Sequence, residues 1–316
     1  MKAHHAILAS IFALSNMSPL VNADDLDYPM TQVGERIHVI YGPFEMPNPV
    51  NGGFRNNVVI VETSKGVVVF DPGGSAAAGE LVVQKVKSLT DMPIVAVFDS
   101  HAHGDHWLGN EGIQRTFSDV TIYAHPNLKQ RLAANDGPRW LDTVNRLTKG
   151  AADGKRVVNA NKTVNDGDEV RIGDTTFRIH HTGRAHSDND IMIEIVESKT
   201  VFTGDIVRNG LLGIMEEDAS FKGNIAAIDY LVGRQFTLYI PGHGPAGGPE
   251  VAQRYRAYLD NLRNTVRTLY DEGKTDFEMK PKVTQAVSAY KDWSGFELRV
   301  GPHISRAYLE VENEAF

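Results

Sequence analysis

Short apolar runs separated by turn residues make up most of the first 240 residues of the chain. Runs such as Val67-Val68-Val69-Phe70 and Ile94-Val95-Ala96-Val97-Phe98 are β-branched and aromatic, which favours buried strands. The predicted strands span residues 37–41, 58–62, 67–71, 94–98, 120–124, 157–158, 169–172, 175–181, 191–196, 200–203 and 236–240. Apolar residues at three- and four-residue steps predict helices over 75–90, 107–117 and 126–134.

The C-terminal part of the chain is predicted to be helical. From residue 250, Tyr255, Tyr258, Leu262 and Val266 recur at helical spacing, and residues 274–316 predict shorter helices that complete the same unit. The order of strands, helices, strands and helices predicts an α/β (α+β) fold with two sheets enclosed by helical layers. We expect one domain over 24–316, with a core at about 35–245 and a helical extension over 250–316.

The composition is ordinary for a globular protein with a sizeable core. Of 316 residues, 41% are hydrophobic and 23% are charged. The net charge of -8 disfavours nucleic acid and anionic membranes as partners, so a small-molecule substrate is expected. The chain has no cysteine, which excludes disulfides and leaves only nitrogen and oxygen ligands for a metal.

The N-terminal residues predict a cleaved export signal. Lys2 precedes an apolar stretch from Ala6 to Leu14, and Val21-Asn22-Ala23 forms a cleavage site ahead of two aspartates. The alternative is an uncleaved membrane anchor, but the apolar run is short for a bilayer span. We expect residues 1–23 to be removed and the mature protein to be secreted across the inner membrane, into the periplasm of a Gram-negative source.

The run His101-Ala102-His103-Gly104-Asp105-His106 carries four metal-binding side chains directly after a predicted buried strand. The strand end places the first two histidines on one side, and a turn at Gly104 lets the aspartate and the last histidine reach a second point nearby. Imidazole and carboxylate groups suit zinc, and also iron or manganese. The run therefore predicts a two-metal site and not a chance cluster of solvated histidines.

Three further candidate ligands each follow a predicted strand. They are His186, Asp205 and His243, and each has a glycine nearby that permits a tight turn. His181, at the end of the strand before His186, is a rival for the same role. A two-metal site needs about six or seven ligand groups, so these residues complete the set.

Five short motifs occur in a fixed order over most of residues 35–245. They are Phe70-Asp71-Pro72-Gly73, His101 to His106, Ala185-His186-Ser187, Thr203-Gly204-Asp205 and Pro241-Gly242-His243-Gly244. Together they resemble the metallo-β-lactamase superfamily of metallohydrolases. The resemblance implies a four-layer αββα sandwich with metals at one edge between the sheets. It also favours His186 over His181, because only His186 lies in the matching turn.

The same resemblance implies a role for each residue. His101, His103 and His186 hold the first metal, Asp105, His106 and His243 hold the second, and Asp205 bridges both. Asp71 matches a position that is not a ligand and orients the histidine run by hydrogen bonds, the alternative being a simple turn cap. The expected cofactor is two zinc ions, with iron or manganese as alternatives.

A dinuclear centre predicts hydrolysis. Two divalent ions about 3.5–4 Å apart lower the pKa of a shared water to about 7 and so supply a bridging hydroxide nucleophile. Asp105 is expected to orient this nucleophile and to pass a proton to the leaving group. Neither a serine elbow nor a cysteine nucleophile is present.

The substrate is less defined than the chemistry. Members that open β-lactams usually carry cysteine or serine at the bridging position, whereas an aspartate resembles the glyoxalase II, lactonase and general hydrolase branches. Export disfavours a glutathione thioester. We expect an exported hydrolase of a small ester, lactone, thioester or β-lactam. The alternatives are a mononuclear-iron oxidoreductase on the same fold, similar to persulfide dioxygenases, and a non-catalytic metal-binding protein.

Two segments of weak periodicity are expected to shape the pocket. Residues 135–156, with Gly137-Pro138 and Trp140 among polar residues, fit a lid or helical insertion over the site, or a plain surface connection. Residues 207–222 are apolar and glycine-containing at their start, and fit a loop covering an apolar group, a packing segment or a subunit contact.

Overall fold

Two β-sheets face each other across a layer of apolar side chains. The computed structural model describes residues 26–315, so the predicted export signal over 1–23 lies outside the described residues. The first sheet contains β1 Met30–Gly34, β2 Ile37–Tyr41, β3 Asn57–Thr63, β4 Gly66–Phe70, β5 Ile94–Phe98, β6 Thr121–Ala124 and β7 Lys162–Thr163, in that spatial order. The second has the order β12-β11-β10-β9-β8 and contains β8 Glu169–Ile172, β9 Thr175–His180, β10 Met192–Ile195, β11 Thr200–Phe202 and β12 Leu238–Ile240.

Strand direction changes within the first sheet. Its strands β1 to β4 pair antiparallel, whereas β4 to β7 pair parallel. In the second sheet only β11 and β12 are parallel. Because parallel neighbours end at the same edge, the segments after β4 and β5 leave the first sheet side by side, as those after β11 and β12 leave the second.

Helices cover the outer face of each sheet. They are α1 Ala76–Leu89, α2 Gly104–Trp107, α3 Asn110–Thr116, α4 Pro126–Ala133, α5 Asp136–Leu147, α6 Phe221–Gly233, α7 Pro249–Asp271, α8 Asp276–Ala286 and α9 Phe296–Glu314. Apolar residues of α1, α3 and α4 pack on the first sheet, and those of α6 to α9 pack on the second. No helix within residues 26–315 is long and apolar enough to span a bilayer.

The residues of β3 show how the layers are specified. Val58 and Ile60 belong to the core beneath the helices, while Val59 and Val61 belong to the core between the sheets. Since successive side chains of a strand point to opposite faces, a strand buried on both sides is apolar throughout. The predicted αββα fold class, with C-terminal helices, is confirmed.

Several elements differ from the prediction. The helix expected over 107–117 begins only at Asn110, as α3, and Trp107 ends the separate helix α2. Between them the backbone N–H of Gly109 donates to the Gly73 carbonyl at 2.7 Å, outside either helix. The strand expected at 157–158 is wrong, since those residues are irregular and the strand lies at Lys162–Thr163. Strand β1 and helix α6 were not predicted. Helix α6 begins where the Ser220 hydroxyl accepts the Gly223 N–H at 2.9 Å.

An aromatic cluster joins the two sheets directly beneath the predicted site. The ring of Phe70 at the end of β4 lies 5.7 Å from that of Phe98 on β5. It also lies 5.8 and 5.6 Å from the rings of Phe177 and Phe202 on the second sheet. All four side chains are fully buried. Because Asp71 is the next residue, this packing fixes where its carboxylate stands.

Truncating the central ring is expected to destabilise the sandwich. Phe70→Ala should lower the free energy of unfolding by about 3–5 kcal/mol, because it removes a buried ring and leaves a cavity between the sheets. Phe277→Ala is the control, since that ring is 86% exposed, and its effect should stay below about 0.5 kcal/mol. Urea unfolding followed by circular dichroism measures both. Equal effects of the two substitutions would contradict the assigned packing.

Candidate metal centre

Five segments that follow strand ends bring the predicted site residues together between the sheets. Asp71 follows β4, the histidine run follows β5, His186 lies between β9 and β10, and Asp205 and His243 follow β11 and β12. All eight predicted side chains are buried, namely Asp71, His101, His103, Asp105, His106, His186, Asp205 and His243.

The potential ligand atoms form two main groups. In each group, one ligand atom from every residue lies within 4.8 Å of the others. The groups are His101, His103, His186 and Asp205, and Asp105, His106 and His243. A third set, Asp71 with His101 and His106, overlaps both, but its carboxylate is already engaged by hydrogen bonds described below. The two main groups match the division that the sequence resemblance implies.

Asp205 lies between the two groups. Its Oδ1 atom is 3.5 Å from Nε2 of His106 and 3.4 Å from Nε2 of His243. Its Oδ2 atom is 3.8 Å from Nε2 of His101 and 3.6 Å from Nε2 of His186. Each carboxylate oxygen therefore faces one group. A Cβ at Gly242 would lie 2.2 Å from Oδ1 of Asp205, so this approach requires a glycine there.

Asp71 stands behind the histidine run and fixes two of its rings. The carboxylate accepts the backbone N–H and the hydroxyl of Ser100, at 2.7 and 2.6 Å, and Nδ1–H of His106 at 2.6 Å. The Ser100 oxygen in turn accepts from Nδ1 of His101 at 2.9 Å. Both rings are thereby held with Nδ1 as a hydrogen-bond donor and with Nε2 directed away from Asp71. One ring belongs to each ligand group, so one carboxylate orients both halves of the site.

The backbone at Asp71 is unusual. Its φ of 50° lies in the left-handed region, which few residues other than glycine adopt. The three hydrogen bonds to its carboxylate hold the residue in this conformation. Such backbone strain is commonly found where a side chain must be aimed at a functional site.

Several buried polar atoms of the site have no hydrogen-bond partner among the described residues. They are Nε2 of His101, Nε2 of His106, Nδ1 of His186 and Oδ1 of Asp205. Burying an unpaired polar atom is costly, and nearly all such atoms in proteins have a partner. Imidazole nitrogens and carboxylate oxygens are the donors that zinc and similar divalent ions take. The residues present therefore fit a divalent metal.

The protonation of the histidines agrees with this fit. Burial lowers the pKa values of His101 and His186 well below the usual range, so both are neutral, as metal ligands must be. Burial also opposes a charge on His106, but the carboxylates of Asp205 and Asp105 outweigh it and raise its pKa well above normal. A metal ion beside these carboxylates would displace that proton.

Two arginines at the centre were not singled out from the sequence. Arg208 is buried and donates to Oδ2 of Asp205 from Nη2 at 2.5 Å and from Nε at 3.2 Å. Arg55 donates from Nη1 to Oδ2 of Asp105 at 2.9 Å, and its backbone carbonyl accepts Nδ1 of His243 at 3.0 Å. A lone arginine in the apolar stretch 207–214 is a recognisable sign of a buried ion pair, whereas nothing near Arg55 marks its role.

These arginines keep both aspartates ionised. Burial alone would raise the pKa of Asp205, but the Arg208 guanidinium holds it well below its usual range. Burial likewise opposes ionisation of Asp105, and the charges of His106 and Arg55 keep its pKa low. Both side chains are therefore carboxylates at neutral pH.

The rival His181 lies outside the cluster. Its Nδ1 atom is 2.7 Å from the carbonyl of Asp190, and its ring stacks on His125 with the centroids 4.1 Å apart. It belongs to neither ligand group. The structure thus brings His186, and not His181, to the other candidate ligands.

A cavity of about 220 Å³ opens onto the centre and is bordered by both segments that were expected to shape a pocket. Within 135–156, helix α5 forms one wall, which makes this segment a helical insertion. Trp140 of α5 packs so closely on the histidine run that a Cβ at Gly104 would lie 2.9 Å from it. Arg208, Ile214 and Glu216 of the 207–222 segment form another wall.

Comparisons with known proteins agree with the geometry. A family model described as the metallo-beta-lactamase superfamily matches residues 51–243. A metallo-beta-lactamase of Chryseobacterium indologenes is 24% identical over 237 residues, which cover 72% of this chain and 87% of that protein. A hydroxyacylglutathione hydrolase of Francisella tularensis subsp. novicida is 23% identical over 174 residues, or 55% of this chain and 56% of that protein.

Two solved structures show the same fold. A metallo-beta-lactamase from Pontibacter korlensis superposes with a TM-score of 0.60 and 20% identity, covering 74% of this chain and 100% of that one. A stereoselective inverting sec-alkylsulfatase from Pseudomonas sp. superposes with a TM-score of 0.68 and 17% identity, covering 95% of this chain and 55% of that one. The second likeness therefore extends over nearly the whole chain.

Disturbing the hydrogen bonds of the Asp71 carboxylate is expected to reduce the affinity for a metal. Asp71→Asn should weaken zinc binding by about 10- to 100-fold, because it disturbs the hydrogen bonds that orient one ring in each ligand group. Competition with a chromogenic chelator measures the affinity, and circular dichroism confirms that the variant is folded. The exposed Asp91→Asn is the matched control and should bind zinc as the unmodified protein does. Unchanged affinity in a folded Asp71→Asn variant would contradict the assigned role.

Proposed function

The chain belongs to the metallo-beta-lactamase superfamily and is a metal-dependent hydrolase, and on this basis we propose that it is an exported dinuclear-zinc enzyme cleaving a small ester, lactone, thioester or β-lactam. The observation that carries the proposal is the position of Asp205, whose two oxygens face two separate groups of histidines at 3.4–3.8 Å. A carboxylate so placed is suited to link two metal ions.

The ligand set supports two metals over one. His101, His103 and His186 would hold one ion, Asp105, His106 and His243 the other, and Asp205 both. A single ion would leave the buried imidazole nitrogens of the other group without a partner. This argument favours the dinuclear hydrolase over the mononuclear-iron oxidoreductase on the same fold.

The chemistry follows from the metals and from one carboxylate. When bound, two divalent ions make a water acidic enough to act as a nucleophile near neutral pH and withdraw electrons from the substrate oxygen. Asp105 borders the cavity and is ionised, so it can accept a hydrogen bond from the attacking water and orient it. Arg55 holds this carboxylate in place from the side. Asp105 is also placed to take up the proton and return it to the leaving group.

The named relatives leave the bond type open. One is a metallo-beta-lactamase and the other a hydroxyacylglutathione hydrolase, and their identities of 24% and 23% are nearly equal. The bridging aspartate favours ester, lactone and thioester cleavage, and export disfavours a glutathione thioester. The cavity of about 220 Å³ is small for a ligand site, since such sites commonly span roughly 300–1,000 Å³. A small substrate, or one only partly enclosed, suits it.

Metal content together with a substrate screen tests the proposal. We expect two zinc ions per chain by mass spectrometry of the purified protein, and hydrolysis within a panel of nitrocefin, lactones, thioesters, phosphodiesters and sulfate esters. Removal of the metals with a chelator should abolish the activity, and zinc should restore it. A single iron per chain with oxygen consumption would overturn the proposal in favour of the oxidoreductase.

Removing one ligand is expected to abolish hydrolysis in a folded protein. His103→Ala should lower kcat/KM by roughly 100-fold or more, because loss of a ligand affects metal binding at least as strongly as loss of an outer hydrogen bond. His181→Ala is the matched control and should retain its metals and activity. Asp205→Ala is a poorer test, since it leaves the Arg208 guanidinium buried without its carboxylate, which costs about 3–5 kcal/mol. Full activity of a metal-depleted His103→Ala variant would contradict the mechanism.

Export is part of the proposal because it decides which substrates the enzyme meets. It is supported by the pattern of residues 1–23. Expression of the full chain in a Gram-negative host should give a periplasmic product whose intact mass corresponds to a start at Asp24. A cytoplasmic product with the N-terminal residues retained would refute this part of the proposal and leave the chemistry unaffected.

A further inference from the structure

The cavity is lined by equal numbers of positively and negatively charged side chains. Three arginines and three acidic residues border it, namely Arg55, Arg139, Arg208, Asp105, Asp205 and Glu216. Two divalent ions would add four positive charges, of which a shared hydroxide and the loss of the His106 proton would offset two. The loaded cavity therefore carries an excess of positive charge in a partly enclosed space, which attracts anions.

Arg55 is the arginine best placed to meet a substrate. Its Nη1 atom is bonded to Asp105 at 2.9 Å, and its Nε atom donates to the Glu45 carbonyl at 3.3 Å. Within residues 26–315 its Nη2 atom makes no hydrogen bond. The side chain is 12% exposed and borders the cavity, so one edge of a mostly buried guanidinium is free to bind an anion.

The other two arginines have different roles. The Arg208 guanidinium donates to Asp205 and packs against Gly213. A Cβ at Gly213 would lie 2.1 Å from the guanidinium carbon of Arg208. Arg139 is 48% exposed and lies over the Trp140 ring at 5.0 Å. Arg208 therefore holds a ligand in place, and Arg139 adds charge at the rim.

The remaining wall of the cavity is apolar. It is formed by Met46, Pro47, Trp140, Val144, Leu147 and Ile214. Met46 and Leu147 are 44% and 37% exposed, so the apolar wall reaches the solvent-facing rim of the cavity. A second cavity of about 260 Å³ shares Met46, Arg55 and Ile214 with the first and continues past Phe44 and Leu298. Apolar surface thus extends outward on both sides of Arg55.

We infer that the substrate is an amphiphilic anion, with a negative charge beside the bond that is cleaved and an apolar chain beyond it. The inference rests on the proposed hydrolase function; it requires a negative charge on the substrate and extends the ester class to sulfate and phosphate monoesters. Arg55 binds the anionic group next to the metals, and the chain lies along Met46, Leu147 and Ile214. A sulfate or phosphate monoester and a carboxylate-bearing ester share this chemistry, whereas a neutral ester makes no use of Arg55.

Binding of non-hydrolysable n-alkylsulfonates tests the inference without relying on turnover. For the zinc-loaded protein, isothermal titration calorimetry should give affinities that rise about threefold to fourfold per methylene from butyl to octylsulfonate, as expected for a chain leaving water. Octanol and octyltrimethylammonium should bind at least about tenfold more weakly than octylsulfonate, because they lack the charge that Arg55 pairs with. Metal-free protein should also bind octylsulfonate more weakly.

Two pairs of variants separate the contributions of charge and chain. Arg55→Gln should weaken octylsulfonate binding about tenfold or more, and Arg36→Gln, an exposed ion-paired arginine away from the cavity, should not change it. Leu147→Ser should flatten the dependence on chain length and leave ethylsulfonate unaffected. Leu309→Ser, which does not border the cavity, should preserve that dependence.

Measurements of turnover then distinguish which anionic group the substrate carries. Octyl sulfate, octyl phosphate and a mono-octyl ester of a dicarboxylic acid are compared with neutral octyl acetate. Preference for any of the three anions supports the inference and identifies the source. It is overturned if octanol binds as tightly as octylsulfonate, or if Arg55→Gln binds as the unmodified protein does. Hydrolysis of neutral esters alone would overturn it while leaving the hydrolase proposal intact. Sulfonate binding without hydrolysis of any ester would support the anion site and contradict the hydrolase proposal.

Discussion

The site depends on a carboxylate buried almost completely between the two sheets. Asp205 is 2% exposed, and a charge so placed is tolerated only where several groups compensate it. The compensation comes from Arg208 and from the imidazoles of His106 and His243. Because these partners lie on separate segments, the loops at this edge must converge on one point. Gly242 and Gly213 exist as glycines because a side chain at either would occupy the space of Asp205 or Arg208.

Much of the architecture was predictable from local sequence. Strands buried on both faces, such as β4 and β5, are continuous apolar runs, and the histidine run that follows β5 is a short-range pattern. Helix α5 was harder to identify because Gly137-Pro138 suggests a break, yet proline is well tolerated in the first turn of a helix. The separation of α2 from α3 depends on a hydrogen bond from Gly109 to Gly73, which no local pattern encodes.

The electrostatic part of the site was the least predictable. Arg55 meets Asp105 across 50 positions of sequence, and the pairing exists only because β3 begins at the same sheet edge at which β5 ends. The roles of the distant ligands His186, Asp205 and His243 came from motif resemblance, since glycine-bordered turns alone do not specify what a side chain meets. The candidate metal ligands were thus found by residue type, spacing and motif resemblance, whereas the arginines that pair with the buried carboxylates are evident only from the fold.

The hydrogen bonds that orient the candidate ligand side chains bear on how the protein would acquire a metal. Asp71 orients the His106 imidazole directly and the His101 imidazole through the Ser100 hydroxyl. Arg208 likewise holds the Asp205 carboxylate, so all three side chains are positioned by contacts within the protein. The ligands are therefore arranged by the folding of the chain, and little of the metal-binding energy is needed to order them. Such an arrangement favours folding before metal binding, so scarcity of a metal would lower the fraction of metal-loaded protein more than the amount of folded protein.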